Sequence, residues 1–161
     1  MRISTFVPTL LLSLFMISCS MNQAEQTESL SAIHSFASGI LLDNATEDPL
    51  GNSLTFPEGD PAVTTGMAVW QPGFETGWHY HPYFGATYIL QGELTVNYDL
   101  STPVTEQNSS KNASRQETYT AGDAFLATPN TWHYSTNNGD EELIFMISWI
   151  GVDGQPVRVD E

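Results

Sequence analysis

Downstream of Ser31 the chain is a run of short segments rich in β-branched and aromatic residues, each broken off by Gly, Pro, Asn or Asp; they fall at 39–42, 63–70, 86–90, 93–98, 124–127 and 143–149. Leu94, Val96 and Tyr98 alternate with Glu93, Thr95 and Asn97, the period that gives a strand one buried and one wet face. No window of about 12 residues in this region carries the apolar stripe of an amphipathic helix. Short strands at such spacing close into a sandwich or a barrel. The expected fold is therefore all-β, and 161 residues fill one domain rather than two.

Charge narrows the partners. Four Lys and Arg stand against 19 Asp and Glu, a formal net charge of −15, so polyanions are repelled and nucleic acid is excluded as a partner. Apolar residues make up 40% of the chain, enough to build a core and too many for disorder throughout. The single cysteine, Cys19, excludes an internal disulfide framework and any zinc or iron–sulfur site built from several cysteines.

The amino end reads as a targeting segment. Arg2 precedes an apolar run that is shorter than the roughly 20 residues of a membrane-spanning helix, and the small residue Ser18 stands directly before Cys19. Met16-Ile17-Ser18-Cys19 resembles the bacterial lipoprotein cleavage box, with Met16 at a position more often Leu. The resemblance implies that Cys19 becomes the diacylated first residue of an exported chain, held to the cell envelope on its periplasmic or surface face. Without Arg2 three basic residues remain, Lys111, Arg115 and Arg158, against 19 acidic ones, a net charge of −16. So few cations cannot hold a membrane, which leaves the anchoring to lipid. The expected organisation is a signal peptide over 1–18, a flexible polar tether over 19–32 and one barrel domain over 33–161 with an exposed polar loop at about 101–117.

Three of the four histidines carry the candidate chemistry. His79 and His81 are separated by one residue, so on a strand both point to the same face, and His133 lies on a later strand. Three imidazoles so arranged suit one divalent ion and leave its other coordination positions open. Free imidazole takes up a proton near pH 6.5, so binding is expected to fade as pH falls through about that value. His34 stands near the tether and reads as a surface residue. Trp78, Tyr80, Tyr83, Phe84, Trp132 and Tyr134 crowd the histidines and either fill the barrel or form the wall of a small-ligand pocket. Asn137 either orients His133 from behind or caps a turn.

The segments GFETGWHYHPYFGATYILQG (73–92) and GDAFLATPNTWHYSTN (122–137) resemble the two motifs of the cupin superfamily. Gly73, His79, His81 and Gly92 match the first motif; Gly122, His133 and Asn137 match the second, with its proline displaced to Pro129 and Thr131 replacing, or sitting beside, the family's turn glycine. The resemblance covers roughly 41–150 and implies a double-stranded β-helix, a jelly-roll barrel, with a metal near its wider mouth. The glutamate that binds metal in the family falls here on Gly85. Glu75, Glu93 and Tyr83 are weak replacements, so the resemblance implies a three-histidine variant.

Such a site leaves a divalent ion its full charge, with iron(II) favoured and manganese, nickel, copper or zinc left open. Three-histidine cupins include thiol and diketone dioxygenases, and the resemblance therefore points to an iron(II)-dependent oxygenase of a small chelating substrate. The alternative is a non-catalytic, envelope-associated module that binds a metal or a small ligand. A homodimer is also left open.

Overall fold

Every regular element among the described residues, 39–161 of this computed structural model, is a β-strand. The strands are β1 (Pro61–Trp70), β2 (His79–Tyr80), β3 (Gly85–Gln91), β4 (Glu93–Asp99), β5 (Arg115–Thr120), β6 (Ala124–Ala127), β7 (Trp132–Thr136), β8 (Leu143–Val152) and β9 (Val159–Asp160). They form two sheets, β1-β8-β3-β6 and β5-β4-β7-β2-β9, antiparallel throughout. This is the jelly-roll barrel expected from the sequence. Cys19, His34 and the expected signal peptide and tether lie outside the described residues.

Apolar side chains at alternate positions of both sheets meet in the middle. Ile89 of β3, Leu94, Val96 and Tyr98 of β4, Phe125 of β6 and Leu143, Phe145 and Ile147 of β8 form one buried cluster. Gly92 makes the tight β3–β4 turn in the left-handed region, at φ 76°. A Cβ there would lie 2.8 Å from the Glu142 carbonyl oxygen and 2.9 Å from Leu143 Cα, so the start of β8 can cross only over a glycine.

Two expectations need correction. Residues 39–42 do not form a strand: Ile40 and Leu41 are exposed and pair with no strand among the described residues. The polar stretch expected to be loop as far as 117 already enters β5 at Arg115. That strand is an edge strand whose sequence, RQETYT, places few apolar side chains inward, so its pattern reads as loop. The remaining loop is tied down at its base. Asp99 accepts hydrogen bonds from the backbone N–H and hydroxyl of Ser101 (2.8 and 2.6 Å), from those of Thr102 (3.1 and 2.7 Å) and from the Asn112 N–H (3.0 Å).

Candidate metal centre

β2 is only two residues long, but it lies between β7 and β9, and His79 is the register partner of both His133 and Asp160. This register brings the two cupin-like segments together. The ligand nitrogens of His79, His81 and His133 all lie within 4.8 Å of one another. All three histidines are buried, at 3%, 7% and 6% exposure.

Each imidazole is held from behind by a backbone carbonyl. His79 Nδ1 lies 3.0 Å from Gly77 O, His81 Nδ1 2.6 Å from Val157 O, and His133 Nδ1 2.8 Å from Thr131 O. A carbonyl only accepts, so each Nδ1 carries the proton and each Nε2 is left with a lone pair. Burial lowers all three pKa values: His79 to about 3, His81 below its ordinary value, and His133 well below it with further repulsion from His79 and His81. The three rings are therefore neutral, with converging lone pairs and fixed tautomers, a donor set that fits one divalent cation.

The triad faces a cavity of about 280 Å³, near the lower end of small-molecule sites, which run from roughly 300 Å³ upward. Its wall is mostly apolar, with Trp70 from β1, Leu94 and Val96 from β4, and Phe145, Ile147 and Trp149 from β8. Among the described residues that line it there is no Asp or Glu. Tyr98 also lines it, its pKa pushed up by burial to about 12. Among the described residues one cationic side chain reaches the wall. Arg158, just before β9, pairs with Asp160 at 2.6 Å and donates to Thr76 O at 3.3 Å.

The cupin domain family matches residues 66–151, a span that holds all three histidines and Gly85. The chain belongs to the cupin family. No curated protein matches this cupin in sequence. Solved structures similar to it include the oxalate decarboxylase of Lactobacillus farciminis in a formate complex, at 26% identity over 61% of this chain and 26% of that one (TM-score 0.46). A DMSP lyase of Ruegeria pomeroyi DSS-3 aligns at 17% identity over 61% of this chain and 42% of its own (TM-score 0.45). A cupin-like protein of Thermotoga maritima aligns at 20% identity over 62% and 64% (TM-score 0.45). This cupin thus spans less than half the length of the first two.

The residues expected to crowd the site behave differently from one another. Trp78, Tyr83, Trp132 and Asn137 do not line the cavity. Trp78 meets Tyr134 edge-on, at 4.8 Å between ring centroids; Tyr134 neighbours His133 on β7 and therefore points to the opposite face of the sheet. The Tyr83 ring lies over Gly151, where a Cβ would come within 2.7 Å of it. Trp132 is fully buried, donates through Nε1 to Pro103 O at 3.2 Å and carries the Lys111 ammonium 4.2 Å above its ring. Asn137 clamps a turn, donating to Trp70 O and Glu141 O at 3.0 and 2.8 Å and accepting from Gly139 N. It makes no hydrogen bond to His133, whose Nδ1 is taken by Thr131.

Three contributors escaped the sequence. The Val157 carbonyl behind His81 and Arg158 on the wall come from a segment with no motif. Trp149, which reads as core, also packs its ring against His81, centroids 5.1 Å apart.

Proposed function

We propose that this cupin holds a divalent ion through His79, His81 and His133, iron(II) ahead of manganese, nickel, copper or zinc, and acts as an oxygenase on a small chelating anion bound in the adjoining cavity. One observation carries the reading: three neutral imidazoles open onto a mostly apolar cavity with no carboxylate in its described wall. An ion held this way keeps its full charge and open coordination positions, which favours an anionic chelating ligand. Iron(II), when bound, supplies redox chemistry with oxygen. The chain itself binds and orients: the apolar wall takes the body of the ligand and excludes water, and Arg158, paired with Asp160, offers a guanidinium at the wall. Chemistry that depends on a general base has little support. Tyr98, held protonated by burial, can only donate a hydrogen bond at neutral pH.

The same missing base favours, as second reading, a non-catalytic module that binds the metal and the anion. Anaerobic loading with iron(II), followed by oxygen and a panel of thiols and 1,3-diketones, separates the two. Oxygen uptake above the blank with at least one compound is expected of the oxygenase. Tight binding without uptake across the panel moves the function to the second reading.

The proposal includes an envelope location through Cys19, motivated by its place after Ser18. Cys19→Ser should move the processed chain from the membrane fraction to the soluble one. A processed Cys19→Ser chain that stays with the membrane contradicts the lipid anchor.

A further inference from the structure

Gly85 of β3 and Trp149 of β8 are register partners, so their side-chain directions share the inner face of the sheet. A Cβ at Gly85 would lie 3.0 Å from Trp149 Cδ1 and 3.0 Å from Ile147 Cγ1. The indole thus stands over the glycine, in the space that any longer side chain from position 85 would have to enter. The same indole packs on His81, with ring centroids 5.1 Å apart and planes at 39°. Its Nε1–H is buried and has no acceptor among the described residues, so packing fixes the ring there.

We propose that Trp149 decides the ligand set of the centre: with Gly85 beneath it, the indole takes the room of a fourth protein ligand and presents an aromatic face beside His81. This rests on the reading of the three histidines as a metal site, and it narrows the ligand class to an anionic bidentate oxygen donor with a small apolar body. Charge and shape act together at this position. A carboxylate from position 85 would halve the net charge of the ion and its three neutral ligands, weakening attraction for an anion in a low-dielectric cavity. An indole in its place leaves that charge intact and offers apolar surface to the body of the ligand.

The test couples the two positions, with cobalt(II) as metal probe and acetohydroxamate as chelating anion. Wild type, Gly85→Glu, Trp149→Ala and the double variant are titrated with cobalt(II), followed by its visible absorption, and then with acetohydroxamate. Gly85→Glu alone should bind cobalt(II) no more tightly than wild type and should melt earlier. On the Trp149→Ala background the same glutamate should tighten cobalt(II) by about tenfold or more, as one added anionic donor at short range implies. It should also change the cobalt(II) spectrum and weaken acetohydroxamate.

Glutamate that tightens cobalt(II) equally on both backgrounds, or not at all on the Trp149→Ala background, overturns the inference. Should Gly85→Glu fail to fold, the comparison of Trp149→Ala with the double variant still decides, and Trp149→Val serves if the alanine chain does not fold. Wild type that binds no cobalt(II) overturns the metal reading and this inference together. Wild type that binds it without coupling between positions 85 and 149 overturns this inference alone.

Discussion

His79 and His133 are register partners across the β2–β7 pair, and their ring centroids lie 4.3 Å apart. His81 completes the triangle at 5.1 Å from one and 5.3 Å from the other. Buried imidazoles this close resist protonation twice, because burial disfavours each charge and the charges repel one another. A single divalent cation avoids the mutual repulsion, and three converging lone pairs offset the cost of burying it.

The first prediction follows from the direction of these shifts. In the unfolded chain the three imidazoles take protons near pH 6.5, whereas in the folded chain His79 does so only at about 3, with His81 and His133 also lowered. The unfolded state therefore binds more protons between those values, so the metal-free chain is at full stability above about pH 6.5 and loses it as pH falls below. Melting curves from about pH 7 to about pH 4 should show a steeper decline for wild type than for the His79→Ala, His81→Ala, His133→Ala triple variant. Parallel declines would contradict the burial argument. The fading of metal binding expected near pH 6.5 from free imidazole is corrected in the same way: the folded triad stays neutral at that pH, and proton competition begins lower.

Asp99 gives the opposite sign of shift through a different mechanism. Burial alone would raise its carboxyl, but the hydrogen bonds from Ser101, Thr102 and Asn112 hold it well below the usual carboxylate range. Its contribution is complete above the ordinary carboxylate pKa of about 4 and disappears as pH falls from there toward the depressed folded value. Asp99→Ala strands several donors at the base of the 100–114 loop and should destabilise the chain by about 2 kcal/mol at neutral pH. Urea unfolding checks it; a midpoint unchanged from wild type would show that the loop does not depend on this carboxylate.

Much of the fold and half of the site are legible in the sequence, for identifiable reasons. β1, β3, β4, β6 and β8 carry enough alternating apolar residues to be read one strand at a time. β2 and β9, two residues each, exist only because neighbours supply their partners, and the polar edge strand β5 has little to bury. His79 and His81 were readable because a one-residue spacing is local. What stands behind or beside them was not: Val157 lies 76 positions beyond His81, and Trp149 meets Gly85 only through the β3–β8 register. Gly85 reads in sequence as an absent ligand. In three dimensions its vacancy is filled by Trp149 and Ile147, so a glutamate there is not expected to reach an ion without a second change.

The carboxyl-terminal segment should act as a positioning element. Val157 O accepts from His81 Nδ1, β9 pairs with β2, and Glu161 N donates to Trp78 O at 3.2 Å while its carboxylate pairs with Lys111. A chain ending at Gln155 loses the acceptor that fixes the His81 tautomer. Its metal affinity should fall by roughly 10- to 100-fold, the usual effect of removing a partner behind a ligand. Competition with a metallochromic chelator measures this, and unchanged affinity in a truncated chain with wild-type circular dichroism would rule the role out.

The central claim is that His79, His81 and His133 form one metal site, and equilibrium binding of iron(II) under anaerobic conditions tests it most directly. Wild type should take up one equivalent per chain, and His79→Ala, His81→Ala and His133→Ala should each lose that uptake while keeping the β-sheet circular dichroism of the barrel. Uptake by wild type that persists undiminished in any two of the three single variants, or no uptake by wild type at all, would contradict it.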